Sequence, residues 1–159
     1  MIRMLSICCC IFACLQTLSA NADENEIVSR IVKYFPGPWE IKSDDGKLLG
    51  SVDWSTVSGG VSIAGPGTSD GLPTYHLAGW EPSKKLWLHT MHRKDGQHLR
   101  LELDRFKGDT YFGTTWLVEA DGSVTEAKWE NKVIDENHFA ITTRSGGKAT
   151  VTHWYRKTK

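Results

Sequence analysis

Cysteine is confined to the first few residues of this sequence. All four, Cys8, Cys9, Cys10 and Cys14, fall within the opening 14 of 159 residues. The remainder therefore has no disulfide staple and no thiol chemistry, and must be held by an ordinary core. Charge of one sign is lacking as well. There are 19 Lys and Arg against 19 Asp and Glu, interspersed rather than blocked. Without a basic groove, nucleic acid and anionic membrane are excluded as expected partners. A membrane span is also missing, because the longest apolar run, Leu5 to about Leu15, falls short of the roughly 20 residues a spanning helix needs.

That run has a different meaning. Arg3 precedes it, and Ala20-Asn21-Ala22 follows as a small-x-small cleavage site. Residues 1–22 read as a secretory signal peptide. Cleavage after Ala22 leaves 23–159 as one domain of 137 residues, exported to a periplasmic or extracellular location. The segment Ile11-Phe12-Ala13-Cys14 fits a lipobox poorly, so a lipid anchor on Cys14 is not the favoured reading.

What the sequence has in abundance is an evenly spaced turn signal. Asp-Gly occurs at 45–46, 70–71, 95–96 and 121–122, and Gly-Gly at 146–147. Asp-Gly or Gly-Gly between alternating segments marks a tight hairpin, read here as a two-residue type I′ turn. A second series of turn signals lies midway, at 58–60, 81–85, 107–109 and 135–137. The two series predict ten strands in simple up-and-down order, at about 37–44, 47–57, 60–68, 73–81, 86–94, 97–106, 110–120, 123–134, 138–145 and 148–156. Twist and the cost of exposed edges favour closing such a meander into an all-β antiparallel barrel over leaving two stacked sheets. A propeller blade needs four strands, too many for a 25-residue unit. One short N-terminal helix is predicted before Pro36-Gly37, with Ile27, Val28, Ile31, Val32 and Phe35 on one face, as a lid on the barrel.

A two-residue turn at every hairpin tip fixes which residues face inward. Around Asp95-Gly96 it opposes Leu88 to Leu103, Thr90 to Leu101 and His92 to Leu99 on the inner face. Around Asp121-Gly122 it opposes Trp116 to Ala127 and Thr114 to Trp129. Around Gly146-Gly147 it opposes Phe139 to Trp154 and Thr143 to Thr150. Aromatics (Trp39, Trp54, Phe112, Trp129, Phe139, Trp154) then crowd the helix end, while polar residues gather at the Asp-Gly rim, where a pocket would open. The expected ligand-lining residues are Thr90, His92, Leu99, Leu101, Trp116, Thr143 and Thr150. Ten strands enclose more space than the side chains of an eight-stranded barrel fill. Either a ligand or the seven Trp residues occupy the difference.

Gly37-Pro38-Trp39, directly after the helix and at the start of the first strand, resembles the Gly-x-Trp signature of lipocalins. With the Asp-Gly hairpins and the closing Tyr155-Arg156, the chain is similar to lipocalin-like, calycin-type domains of secreted bacterial proteins of unknown function. That resemblance implies a barrel closed by Trp39 with Arg156 stacked on it, and a small, largely apolar molecule as ligand. The ten strands, the absence of disulfides and the lack of a C-terminal helix depart from true lipocalins.

No metal site, cofactor or catalytic set is expected. His89, His92 and His98 do not share a face in this register, and His89 opposite Glu102 reads as a surface pair rather than an acid–base pair. Residues 65–71, Gly-Pro-Gly-Thr-Ser-Asp-Gly, lack the Lys and the following helix of a phosphate loop and read as an irregular rim loop. Haem, a minor alternative, would need a late-strand histidine inside the barrel, and His153 is expected outside. The main alternative is a filled barrel that acts through its surface, with Trp80 and Trp87 beside the 81–85 turn as an exposed patch for a protein or polysaccharide.

Overall fold

Hairpin chemistry dominates the computed structural model, which describes residues 24–158. The expected signal segment 1–22, with Cys14 and the cleavage site, lies outside the described residues. Helix α1 is Glu24–Tyr34. The strands are β1 Gly37–Ser43, β2 Leu48–Val57, β3 Ser62–Ser69, β4 Leu72–Glu81, β5 Leu86–Arg93, β6 His98–Lys107, β7 Thr110–Val118, β8 Val124–Asp135, β9 His138–Ser145 and β10 Lys148–Arg156. Each pairs antiparallel with its chain neighbours, and β1 pairs with β10, so the sheet closes as a ten-stranded barrel. Among the described residues no helix is long and apolar enough to cross a membrane.

The hairpin tips fall into two classes. At Asp70-Gly71 and Gly146-Gly147 both residues have positive φ, and Ser69 pairs with Leu72 and Ser145 with Lys148. These are the expected two-residue turns. At Asp95-Gly96 only Gly96 is left-handed (φ 94°). Its N–H donates to Arg93 O at 3.0 Å, and the Arg93 N–H donates to Gln97 O at 2.8 Å. This is a three-residue loop, a type I turn completed by a left-handed glycine. The Asp95 carboxylate stabilises it by accepting the Gln97 N–H at 3.2 Å. Asp121-Gly122 is built alike, with Asp121 accepting the Ser123 N–H at 2.9 Å.

The extra residue moves the register by one, and a one-residue slip turns a whole strand over. In β5 the inward residues are Trp87, His89 and Met91, while Leu88, Thr90 and His92 face out. In β7 they are Tyr111, Thr115 and Leu117; Phe112 and Trp116 face out, under the guanidinium groups of Arg105 and Arg100. Strands β6, β8, β9 and β10 keep the expected faces: Leu99, Leu101, Leu103, Ala127, Trp129, Phe139, Ile141 and Trp154 all line the interior. The 65–71 segment is not an irregular loop either, since it forms the second half of β3 and the turn to β4.

The helix end is closed by packing. Ile27 and Ile31 are buried in the barrel mouth, and Phe35 reaches Phe139 (centroids 5.2 Å apart). Trp39, with no exposed surface, packs edge to face on Phe139 at 4.8 Å and donates its indole N–H to Phe35 O at 2.7 Å. Arg156 lies over the Trp39 ring, its guanidinium carbon 4.3 Å from the centroid. It also donates to Pro36 O (2.7 Å) and Tyr34 O (2.5 Å). Gly37 makes room for that guanidinium. Its φ is +114°, and a Cβ there would stand 2.8 Å from Arg156 Nη1.

Candidate functional site

Between the closed end and the Asp-Gly rim the barrel holds a cavity of about 470 Å³. That volume lies within the range of small-molecule pockets, roughly 300–1,000 Å³. Its floor is aromatic: Phe35, Trp54, Trp87, Trp129, Phe139 and Trp154. Its upper wall is polar and short-chained, with Thr68, Ser69, Asp70, Thr125, Thr143 and Ser145. Among the described residues that line it, Asp70 is the only charged side chain, and it sits at the rim.

Two inward histidines stand midway. β4 contributes His76, whose Nε2 is 3.0 Å from Thr74 Oγ1. β5 contributes His89, whose Nε2 is 3.2 Å from His76 Nδ1. The indole of Trp54 meets both imidazoles edge-on, at 5.3 Å each. β3 leaves space for the pair because Gly67 lies beside it; a Cβ there would come within 2.9 Å of Thr74 Oγ1 and 3.1 Å of His76 Nε2. Burial pulls the His76 pKa down from 6.5 to about 4. Burial, and then the neighbouring His76, pulls His89 down to about 3. Both rings are neutral at ordinary pH.

The unfolded chain binds protons on both histidines below about 6.5, whereas the folded chain resists them down to about 4 and 3. Stability is therefore fully present above about pH 7 and is lost as the pH falls toward 4, by roughly 3 kcal/mol or more for the pair. Urea midpoints measured from pH 7 to 4 should fall more steeply for the natural sequence than for a His76→Leu/His89→Leu double variant. Parallel slopes would contradict the assignment.

The expected site residues separate into two groups. Leu99, Leu101 and Thr143 line the cavity. Thr150, the partner of Thr143, is exposed and does not line it. Thr90, His92 and Trp116 are on the outer face because of the three-residue loops. Thr90 Oγ1 donates to Leu77 O, His92 stacks with His98 (5.7 Å), and the Trp116 indole N–H donates to Glu126. His76, His89, Trp87 and Met91 take the inner places instead. His89 pairs with Leu101 rather than opposing Glu102.

The expected aromatic patch is likewise corrected. Trp80 and Trp87 pair across β4 and β5 with both rings turned inward, and Trp87 is only 3 % exposed. Trp80 is half-buried against the core, so the two rings do not form the expected exposed patch. His153 stands outside, bonded to His138 (3.1 Å) and Asp44 (3.2 Å). Among the described residues no group of three His, Cys, Asp or Glu side chains is placed to hold a metal ion. A second cleft of about 580 Å³ lies outside the barrel beside α1, but its arginines Arg30 and Arg156 are already bonded to backbone carbonyls.

One motif escaped the sequence reading. Gly67-Thr68-Ser69-Asp70-Gly71 has the Gly-x-Ser-x-Gly spacing of a hydrolase elbow. An elbow needs a strand, a sharp turn and a helix, with a base beside the serine. Here strand follows strand, and the cavity histidines are hydrogen-bonded to Thr74 and to each other. The spacing serves a hairpin.

No protein-family model matches this sequence, and no curated protein matches it significantly. Three solved structures similar to it are designed or redesigned barrels. A redesigned β-barrel has 10% identity and a TM-score of 0.40, over 82% of this chain and 96% of the other. The redesigned barrel mFAP1, bound to DFHBI, has 13% identity and a TM-score of 0.40, over 80% and 99%. A de novo fluorescence-activating barrel has 19% identity and a TM-score of 0.36, over 80% and 97%.

Proposed function

We propose that this chain is an exported, lipocalin-like carrier of a small, largely apolar molecule held inside the barrel. The observation that carries the reading is the cavity itself. A closed barrel with this many Trp residues had the means to fill its interior, yet about 470 Å³ stays open above the aromatic floor. A concave, mostly apolar site with a few convergent polar groups suits such a ligand. Export rests on the signal-like residues 1–22. The Arg156–Trp39 closure supports the lipocalin-like reading.

The test is to fill the space. Ala127 lines the cavity and is almost wholly buried, so Ala127→Trp places an indole where a ligand would sit. Native mass spectrometry of residues 23–159 from a secreting host should show a bound small molecule that leaves on denaturation. Ala127→Trp should lower its occupancy at least about tenfold, which corresponds to about 1.4 kcal/mol. Thr90→Leu and His92→Leu, on the outer face, should leave it unchanged. An apo mass that stays apo after incubation with apolar small molecules would count against the carrier.

A further inference from the structure

The carrier reading leaves the ligand's chemistry open, and the cavity narrows it. We propose that the barrel selects an uncharged ring compound bearing a hydroxyl group, with that hydroxyl bonded to His89 Nδ1, and rejects the corresponding carboxylate. This rests on the carrier reading above.

The hydrogen-bond chain explains the hydroxyl. Thr74, His76 and His89 are linked in series, and the series uses His89 Nε2. His89 Nδ1 is left over on a ring that lines the cavity. Two tautomer patterns satisfy the chain. If the Thr74 hydroxyl donates to His76, then His76 donates to His89 and Nδ1 carries a proton outward. If His76 donates to Thr74, then His89 donates to His76 and Nδ1 offers a lone pair. A hydroxyl group, being both donor and acceptor, matches either pattern.

A second polar point lies deeper. Asn131 lines the cavity, is 2 % exposed, and its Oδ1 has no hydrogen-bond partner among the described residues. The Trp154 indole N–H in the same floor also lacks one. A buried polar atom without a partner is destabilising, and a ligand with a second hydroxyl or carbonyl could satisfy these groups. The same cavity is lined by the rings of Trp54, Trp87 and Trp129, which suit a flat ring system better than a flexible chain.

The lining explains the rejection of charge. Among the described lining residues there is no Lys or Arg, and the single ionisable acid, Asp70, is negative. The two imidazoles are neutral, so nothing inside would compensate a carboxylate stripped of water.

Three probes of one shape separate these ideas: naphthalene, 2-naphthol and 2-naphthoate, each titrated at pH 7 and followed by ligand fluorescence anisotropy. Naphthalene should bind, 2-naphthol should bind roughly 3–10-fold more tightly for one net hydrogen bond, and 2-naphthoate should bind at least about 100-fold more weakly than 2-naphthol. In His76→Leu/His89→Leu, which removes the pair without leaving an orphan ring, naphthalene and 2-naphthol should bind equally. In His89→Gln, which keeps a polar head, part of the preference should return. Equal binding of naphthalene and 2-naphthol to the natural sequence, or binding of 2-naphthoate as tight as 2-naphthol, overturns this inference and leaves the carrier standing. Failure of all three to bind overturns the carrier and the inference with it.

Discussion

Replacing Trp39 by alanine is expected to lower the melting temperature by about 10–15 °C, the largest effect of any single side-chain truncation in the barrel. Trp39 is fully buried and does three things at once. It fills the closed end against Phe139, it ties the α1–β1 junction through Phe35 O, and it carries Arg156 on its face. Removing a buried Trp costs about 3–5 kcal/mol, and a cation–π contact of this kind adds about 0.5–2 kcal/mol. Arg156→Lys keeps the positive charge but cannot hold Pro36 O and Tyr34 O together, so its loss should be intermediate. Thermal unfolding followed by far-ultraviolet circular dichroism checks both. A fall under about 3 °C for Trp39→Ala would mean that the closed end contributes little.

Gly65→Ala should destabilise the barrel by more than about 3 kcal/mol, although it adds one methyl group. The cause is position. A Cβ on Gly65 would lie 1.8 Å from Asp53 O and 2.7 Å from Asp53 C, which are backbone atoms of the facing strand. Neither can swing aside as a flexible side chain would. Pro66 follows and has no N–H to give, and the β2–β3 pairing stops at Val52–Gly67 and resumes at Ser55–Ala64. The sheet bends here, and glycine permits the two backbones to approach. Gly71→Ala is the matched comparison. It has nothing within 4 Å but sits at φ +76°, so it should cost about 1 kcal/mol. Urea unfolding of the two variants should differ clearly; similar midpoints would contradict the corner at Gly65.

Strand number, order and closure were readable because turn residues punctuate a sequence whose strands alternate. The faces of β5 and β7 were not. Asp-Gly serves both a two-residue and a three-residue loop, and the dipeptide is the same in each. The loops differ in whether Asp or only Gly is left-handed, as Asp70 (φ 50°) differs from Asp95. That choice depends on the twist and bonding of the flanking strands rather than on the dipeptide. The error then propagated into function. It sent Thr90, His92 and Trp116 inward in place of His89, Met91 and Thr115, and it turned Trp87 toward solvent. β5 could not correct itself, because Trp87, His89 and Met91 are about as amphipathic as Leu88, Thr90 and His92. The four-residue connection at 82–85, which sets Glu81 against Leu86, carried the missing constraint. Thr143, Leu99 and Leu101 do face inward, because Gly146-Gly147 makes a true two-residue turn and because β6 alternates strongly.

Barrel closure also imposes an order on folding. The pair that closes the barrel joins β1 to β10, and the Arg156 bond to Pro36 O spans 120 residues of sequence. Nine hairpins can assemble locally, but the loop must be closed across the whole domain before the first and last strands meet. Until then both terminal strands present bare edges, the state in which such a sheet recruits a neighbour instead of itself. Trp39 and Arg156 are thus the latch of a molecule that is finished only when its final strand arrives. A chain cut before β10 would keep most of its hairpins and leave the edges of β1 and β9 bare.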